Sequence, residues 1–261
     1  EMTKSKMESH HLPLAVSLPP WRSITQTIES PYTSKRKAMK VFPTILDIKL
    51  PFALEECVYD FLCVKPYDTK GRLKALAVVS RKSDVNEVIE SLIHSGVDAT
   101  SLDHEGLVLW EESLREKPIK PAEISLTRIV VYVGVDRITL VVGNGSEYRN
   151  SHSVSIGNHS HIDRLIRASV GTEDNAINWY WAGPGILEES KFQTLELSLL
   201  AKWPGESTRH DDPEAFLARG LAVRILNPSA STCNMRKGEQ SHQSIINKEE
   251  SSKQNVGWIM L

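Results

Sequence analysis

Chemistry in this chain would have to come from a small set of side chains, and most of their spacings point away from it. His159 and His161 stand at i and i+2 on the start of a helix, where the two rings diverge. A solvated helix start explains them better than a zinc site, whose ligands must converge. Asp211 and Asp212 precede Pro213, the pattern of a helix N-terminus with Asp212 as cap and Pro213 at the first position. Nothing beside that pair would raise a carboxyl pKa as a catalytic acid requires. Cys57 and Cys63, six residues apart in one strand, share a face by the two-residue strand period and read as small buried hydrophobes. No Gly-x-Ser-x-Gly elbow and no ordered Ser/His/Asp set is present. What remains is the stretch Thr127 to Ser155, TRIVVYVGVDRITLVVGNGSEYRNSHSVS, in which glycine-bounded turns join three strands. Backbone N–H groups in such turns can cradle a phosphate.

The chain has 261 residues, of which 40% are hydrophobic, enough for one two-lobed domain or two modest ones. A net charge of -2 and a pI near 6.6 provide no general attraction for nucleic acid, whose binders present a basic face or stripe. Three cysteines with no CxxC pair fit a reducing compartment, here the cytosol, better than a disulfide framework. The start lacks the long apolar core of a signal peptide. No internal run approaches the roughly 20 apolar residues of a bilayer span. Val256 to Leu261 is apolar and follows a polar stretch, so it reads equally as the first turns of a membrane helix or as a frayed tail.

The elements that would position a site follow from periodicity. Strands are expected at Leu14 to Leu18 and Ser23 to Glu29. A helix from Lys35, capped by Ser34, carries Ala38, Val41, Phe42, Ile45 and Leu46 on one face, with a kink or restart at Pro43. Next come strands over Cys57 to Val64 and Leu73 to Val79. A helix then opens at Asp84 with Glu87 as capping-box partner and closes at Gly96. A short strand at Ala99 to Asp103 and a short helix at Gly106 to Leu114 complete this module. The second half reads as three antiparallel strands over Thr127 to Ile156, then a helix (Asn158 to Ser169), a strand (Ala176 to Ala182) and two helices (Leu187 to Ala201, Pro213 to Ile225). Beyond Asn227 the chain turns polar and Ser-rich, with no further core expected.

That order is the order of a ribonuclease H-like half-domain, and several short motifs give it a family. Leu18-Pro19 with Arg22, the segment Lys49 to Glu56 (KLPFALEE) followed by Val58 to Asp60, the strand-helix-strand from Ala75 to Asp103, Gly220 to Arg224 (GLAVR) and Asn234 to Glu239 (NMRKGE) occur in one order. In that order they resemble the cytoplasmic actin-like proteins of bacterial type IV pilus and type II secretion machines: pilus assembly protein M and, more closely, the cytoplasmic part of secretion protein L. The resemblance implies an α/β actin-like ATPase (ribonuclease H-like) fold with an inserted small βαβ-type domain and its N-terminal hairpin missing. It divides the chain into a disordered start (1-13), the remainder of a first subdomain (14-46), the inserted α/β domain (47-115), a second lobe (116-226) and a juxtamembrane tail (227-261).

The same resemblance points to the nucleotide site and weakens it. The family's Asp-x-Gly hairpin aligns with Tyr132-Val133-Gly134, so tyrosine stands where a carboxylate would hold Mg²⁺ through water. Asp136 is the nearby substitute. Gly183 and Gly185 occupy the adenosine turn, but Pro184 between them has no N–H to offer. The expectation is therefore a non-enzymatic scaffold without a cofactor, on a degenerate site formed by Gly134, Asp136, Gly183 and Gly185; the alternative is a Mg-ATP-binding actin-like ATPase. Implied partners are the secretion or pilus assembly ATPase, other inner-membrane platform proteins and further copies of the chain, at the cytoplasmic face of the bacterial inner membrane. A membrane segment is expected beyond Leu261. Glu55 and Glu56, which on their own read as surface charge, together with Arg81, Lys82 and Glu87, are the candidate partner-binding residues.

Overall fold

A five-stranded sheet carries the second half of the chain, in the order β10-β9-β6-β7-β8. Its strands are β6 (Thr127–Val133), β7 (Arg137–Asn144), β8 (Glu147–Ser155), β9 (Ile177–Ala182) and β10 (Gly205–Arg209). The computed structural model describes residues 13–170 and 177–242. The expected disordered start, apart from Pro13, and the apolar end Val256 to Leu261 lie outside the described residues. Strands β6, β7 and β8 form an antiparallel meander, while β9 joins β6 in parallel, Tyr132 opposite Ala182.

The aliphatic run of β6 and β7 lacks polar alternation because both faces of the sheet are covered. Ile129, Val131 and Val133 join Ile162, Ile166, Phe192 and Leu195 of α4 (His159–Val170) and α5 (Glu189–Leu200) on one side. Val130 and Val141 join Leu109, Trp110 and Phe216 of α3 (Glu105–Glu116) and α6 (Phe216–Leu226) on the other. Strand β10, with the sequence GESTR, escapes the sequence reading. It is a polar strand at the sheet's edge, and such strands carry no apolar period.

The first half builds a smaller antiparallel sheet, β2-β4-β3, from β2 (Ile24–Glu29), β4 (Leu73–Arg81) and β3 (Cys57–Pro66). Helix α1 (Lys35–Lys49) packs on one face through Ala38, Phe42 and Leu46. It runs through Pro43 without the expected restart. A proline inside a helix costs about 3 kcal/mol, and burying an aliphatic or aromatic side chain returns roughly 1.5–3 kcal/mol, so the buried i, i+4, i+8 stripe offsets the lost bond. Helix α2 (Lys82–His94) packs on the other face. It begins before Asp84, with Arg81 as its N-cap, and the expected capping box is not made. Glu87 instead accepts from both terminal guanidinium nitrogens of Arg22, at 2.8 and 2.6 Å, as an exposed bidentate pair. Because β2 pairs with β4 and α1 covers the same sheet, residues 24–81 form one packed layer across position 46.

Strand β5 (Ser101–His104) leaves that sheet and runs parallel to β1 (Ala15–Leu18). The segment after α6 then returns to it: the Met235 N–H donates to the Leu102 carbonyl at 2.8 Å. Cys233 and Met235 are fully buried beside Leu18 and Leu102, so core does continue past Asn227. The shared face expected for Cys57 and Cys63 is also overturned. A bulge between Leu62 and Lys65, with Cys63 at φ 51°, turns Cys63 toward the α2 side while Cys57 stays on the α1 side. Nor does Asp212 cap a helix: α6 starts at Phe216, and the Pro213 carbonyl accepts the Gly183 N–H at 3.0 Å.

The returning segment is held by a buried ion pair. Arg224 donates to Asp103 at 2.7 and 3.1 Å and to the Ser231 carbonyl at 2.8 Å, and it also pairs with Glu111. Removing one partner of a buried pair strands the other charge. Arg224→Met is expected to lower the unfolding free energy by about 3–5 kcal/mol in urea denaturation. A loss under about 1 kcal/mol, the scale of a surface pair, would show that the lobes do not depend on it.

Candidate functional site

The β6–β7 hairpin and the turn after β9 meet at the end of the large sheet. Because β6 and β9 are neighbours, Gly183 lies against Val133, and a Cβ on it would stand 2.4 Å from the Val133 carbonyl oxygen. Gly183 also holds φ +96°, which disfavours any side chain. A Cβ on Gly185 would meet Val133 Cγ1 at 2.4 Å and the Gly134 oxygen at 2.9 Å. Packing between adjacent turns therefore accounts for both glycines before any ligand is considered.

Two backbone donors of these turns are engaged. The Gly134 N–H closes the hairpin on the Arg137 carbonyl at 2.8 Å, the Gly183 N–H goes to Pro213, and Pro184 has none. A phosphate cradle needs such groups free and convergent. Asp136 sits exposed at the hairpin tip, where its own carbonyl accepts the Ile156 N–H at 3.0 Å. The structure thus brings Gly134, Gly183 and Gly185 together and leaves Asp136 at the rim. A cavity of about 490 Å³ opens beside the hairpin, touching Gly134 and Gly185 and lined by apolar Val133, Ile138, Ile156, Phe192 and Leu195 together with polar Glu188, Ser190, Lys191 and Thr194.

A residue that the sequence reading missed lies behind Tyr132. Glu105, the first residue of α3, is buried and accepts the Thr139 hydroxyl at 2.6 Å. Burial pushes its carboxyl pKa up, against the opposing hydrogen bonds of Thr139 and Ser17. Burial also pushes the Tyr132 phenol up, and nearby Glu105 adds to this. Before Glu105, His104 caps α3 by accepting the Leu107 N–H at 3.2 Å on Nδ1. Its pKa falls to about 3, first through burial and then through Arg224, so the ring is neutral, as an accepting cap must be. In sequence, Glu105 is one more acid in a first helical turn, and nothing local marks its burial.

Magnesium-bound nucleotide asks for oxygen ligands, chiefly carboxylates and waters, beside the phosphates. Here Asp136 is exposed at a turn tip, Glu105 is held by hydroxyls inside the protein, and Glu188 lines the cavity beside Gly185. Among the described residues no group of three or more His, Cys, Asp or Glu side chains could hold a metal ion.

The candidate partner-binding residues fall in two places. Glu55 and Glu56 are exposed in the short turn before β3. Arg81 lies opposite Cys57 with its guanidinium over the Phe52 ring at 4.6 Å. Lys82 follows it, 3.6 Å from Glu239. Glu87 stands apart from this group, on Arg22.

No protein-family model matches the chain, and no curated protein matches it in sequence. Solved structures do. A protein of the "PilM-PilN type IV pilus biogenesis complex" aligns with a TM-score of 0.60 at 15% identity, over 82% of this chain and 80% of that one. The cytoplasmic domain of EpsL, an inner membrane component of the type II secretion system of Vibrio cholerae, aligns with a TM-score of 0.54 at 14% identity, over 89% and 80%. The fold is an α/β actin-like one, as the order of elements implied.

Glu105 yields a prediction with a definite sign. Its folded pKa lies above the ordinary 4.5, so it favours the folded state below that value and loses this contribution as pH rises through it. Glu105→Gln keeps the Thr139 bond without the buried charge. At neutral pH it is expected to melt at a higher temperature than the parent, with the gap closing in acid. A lower melting temperature at neutral pH would refute this.

Proposed function

We propose that this chain is the cytoplasmic docking domain of a bacterial inner-membrane platform, of the type II secretion or type IV pilus kind, and that its nucleotide site is degenerate. The observation that carries the second part is the engagement of the Gly134 and Gly183 N–H groups within the protein, with Tyr132 in the carboxylate position. The fold shared with the EpsL cytoplasmic domain and the PilM-PilN complex supports the first part. In this reading the protein recruits the secretion or pilus ATPase and contacts other platform proteins, and it relays conformational change to a membrane segment. No helix among the described residues is long and apolar enough to cross a membrane, so that segment would lie elsewhere in the protein.

Docking is assigned to the corner where Glu55, Glu56, Arg81 and Lys82 gather at the end of the β3–β4 ladder. Its charges are largely exposed, and such rim charges act mainly on encounter rate and specificity. Glu87 belongs to the candidate set but is already held by Arg22.

Charge reversal at Arg81 and Lys82, or at Glu55 and Glu56, is expected to weaken pull-down of the cognate secretion or pilus ATPase with the circular dichroism spectrum unchanged. Undiminished capture by both variants would remove this corner from the interface. Calorimetry with Mg-ATP is expected to show no saturable heat in the micromolar range. A clear isotherm that disappears on substitution of Gly134 or Asp136 would restore the nucleotide site.

A further inference from the structure

A second cavity, of about 290 Å³, lies between the small sheet, α3 and the β7–β8 turn. Leu76, Leu107 and Trp110 provide apolar wall, and Lys65 and Lys74 stand among its lining residues. Those lysines are direct cross-strand partners in the β3–β4 ladder. Like charges placed so are unfavourable unless an anion lies between them. The bulge at Cys63 creates the pairing: the register shifts between Leu62 and Lys65, with Cys63 in the left-handed region at φ 51°. A non-glycine residue held there marks strain that the surroundings maintain.

The anion is at present supplied by the protein itself. Glu147, at the start of β8 in the other lobe, lies 3.1 Å from Lys65 and 2.9 Å from Lys74 through one carboxylate oxygen. The two lysines share one oxygen of Glu147, and Glu29 stands opposite Lys74 in β2. The other acid of the lining, Glu111, shares the single Arg224 guanidinium with Asp103. The Glu147 side chain is 52% exposed, so exchanging it for another acid removes only a surface ion pair, about 0–1 kcal/mol. The cavity is at the small end of the roughly 300–1,000 Å³ range of ligand sites, with apolar walls and few polar groups.

We propose that this cavity binds a small amphiphilic carboxylate, whose acid group replaces Glu147 on Lys65 and Lys74 and whose apolar chain lies against Leu76, Leu107 and Trp110. Glu147 then acts as a built-in competitor. It also bridges the lobes, so occupancy of the cavity releases one tie between the small sheet and β8. This site is independent of the docking corner and of the nucleotide turns.

Octanoate is the probe, titrated calorimetrically into the full chain. One saturable site is expected. Lys74→Ala or Lys65→Ala should weaken binding about tenfold, the scale of one charge-assisted hydrogen bond, while Glu147→Gln should tighten it by removing the competitor. Octanol, with the same tail and no acid, should bind at least about tenfold more weakly, and acetate should give no saturable heat. The proposal fails if neither the parent nor Glu147→Gln binds octanoate, or if octanol binds as well. It fails equally if both lysine variants, folded by circular dichroism, bind unchanged. Tighter binding of an acidic peptide than of octanoate would assign the cavity to a protein segment and also overturn it.

Discussion

Strand β6 is hydrogen-bonded on both edges, to β7 and β9, and its side chains are buried on both faces. Such a strand can neither slip nor tilt without exposing aliphatic side chains on one side of the sheet. Its C-terminal hairpin is therefore fixed, and so is the turn after β9, which lies one strand spacing away. The close approach of Gly183 to the Val133 backbone follows directly: at that separation there is no room for a Cβ. Packing at the end of the sheet thus accounts for Gly183 without a ligand.

The two halves of the molecule are joined by contacts of unequal weight. Arg224 is buried with Asp103 and bridges α6 to β5, and Cys233 and Met235 bury themselves beside the same strand. These interactions exclude water, so breaking one leaves a stranded charge or a void. The contacts of Lys65 and Lys74 with Glu147, and of Lys237 with Asp60 at 2.6 Å, are partly exposed and individually weak. A frame held by a few buried contacts, with exchangeable ones at its seam, suits a part that must stay folded while its neighbours move.

Much of this architecture is legible in the sequence where burial imposes a period. The aliphatic runs of β6 and β7, the apolar stripe of α1 and the faces of α4 and α5 announce themselves, because burial selects side chains at fixed intervals. The features that were not legible have non-local causes. Strand β10 is polar because one edge faces solvent, and it is held to β9 by backbone pairing and by the Trp181 indole N–H donating to the Ser207 hydroxyl at 3.0 Å. The Cys63 bulge changes a face without changing composition. Cys233 and Met235 lie in a Ser-rich stretch whose burial depends on β5, more than 100 residues upstream. Glu105 shows the same limit at the site: its burial comes from β1 and β7, which no window around Glu105 contains.

Glycine carries the final step. In Val133-Gly134 and Gly183-Pro184-Gly185 the residue types that a phosphate or adenosine turn would use are present. Yet a glycine can be required either by a ligand approaching the backbone or by another strand approaching it. At Gly183 the second requirement is met in full, by Val133 on one side and by the Pro213 carbonyl on its N–H. A chain that lost nucleotide chemistry would still need glycine there to close the sheet. Carboxylates have no such packing duty at a turn tip: Asp136 is in solvent, and Tyr132 stands where the resemblance places a metal ligand. Glycines at these turns are therefore weaker evidence of a ligand than convergent carboxylates would be.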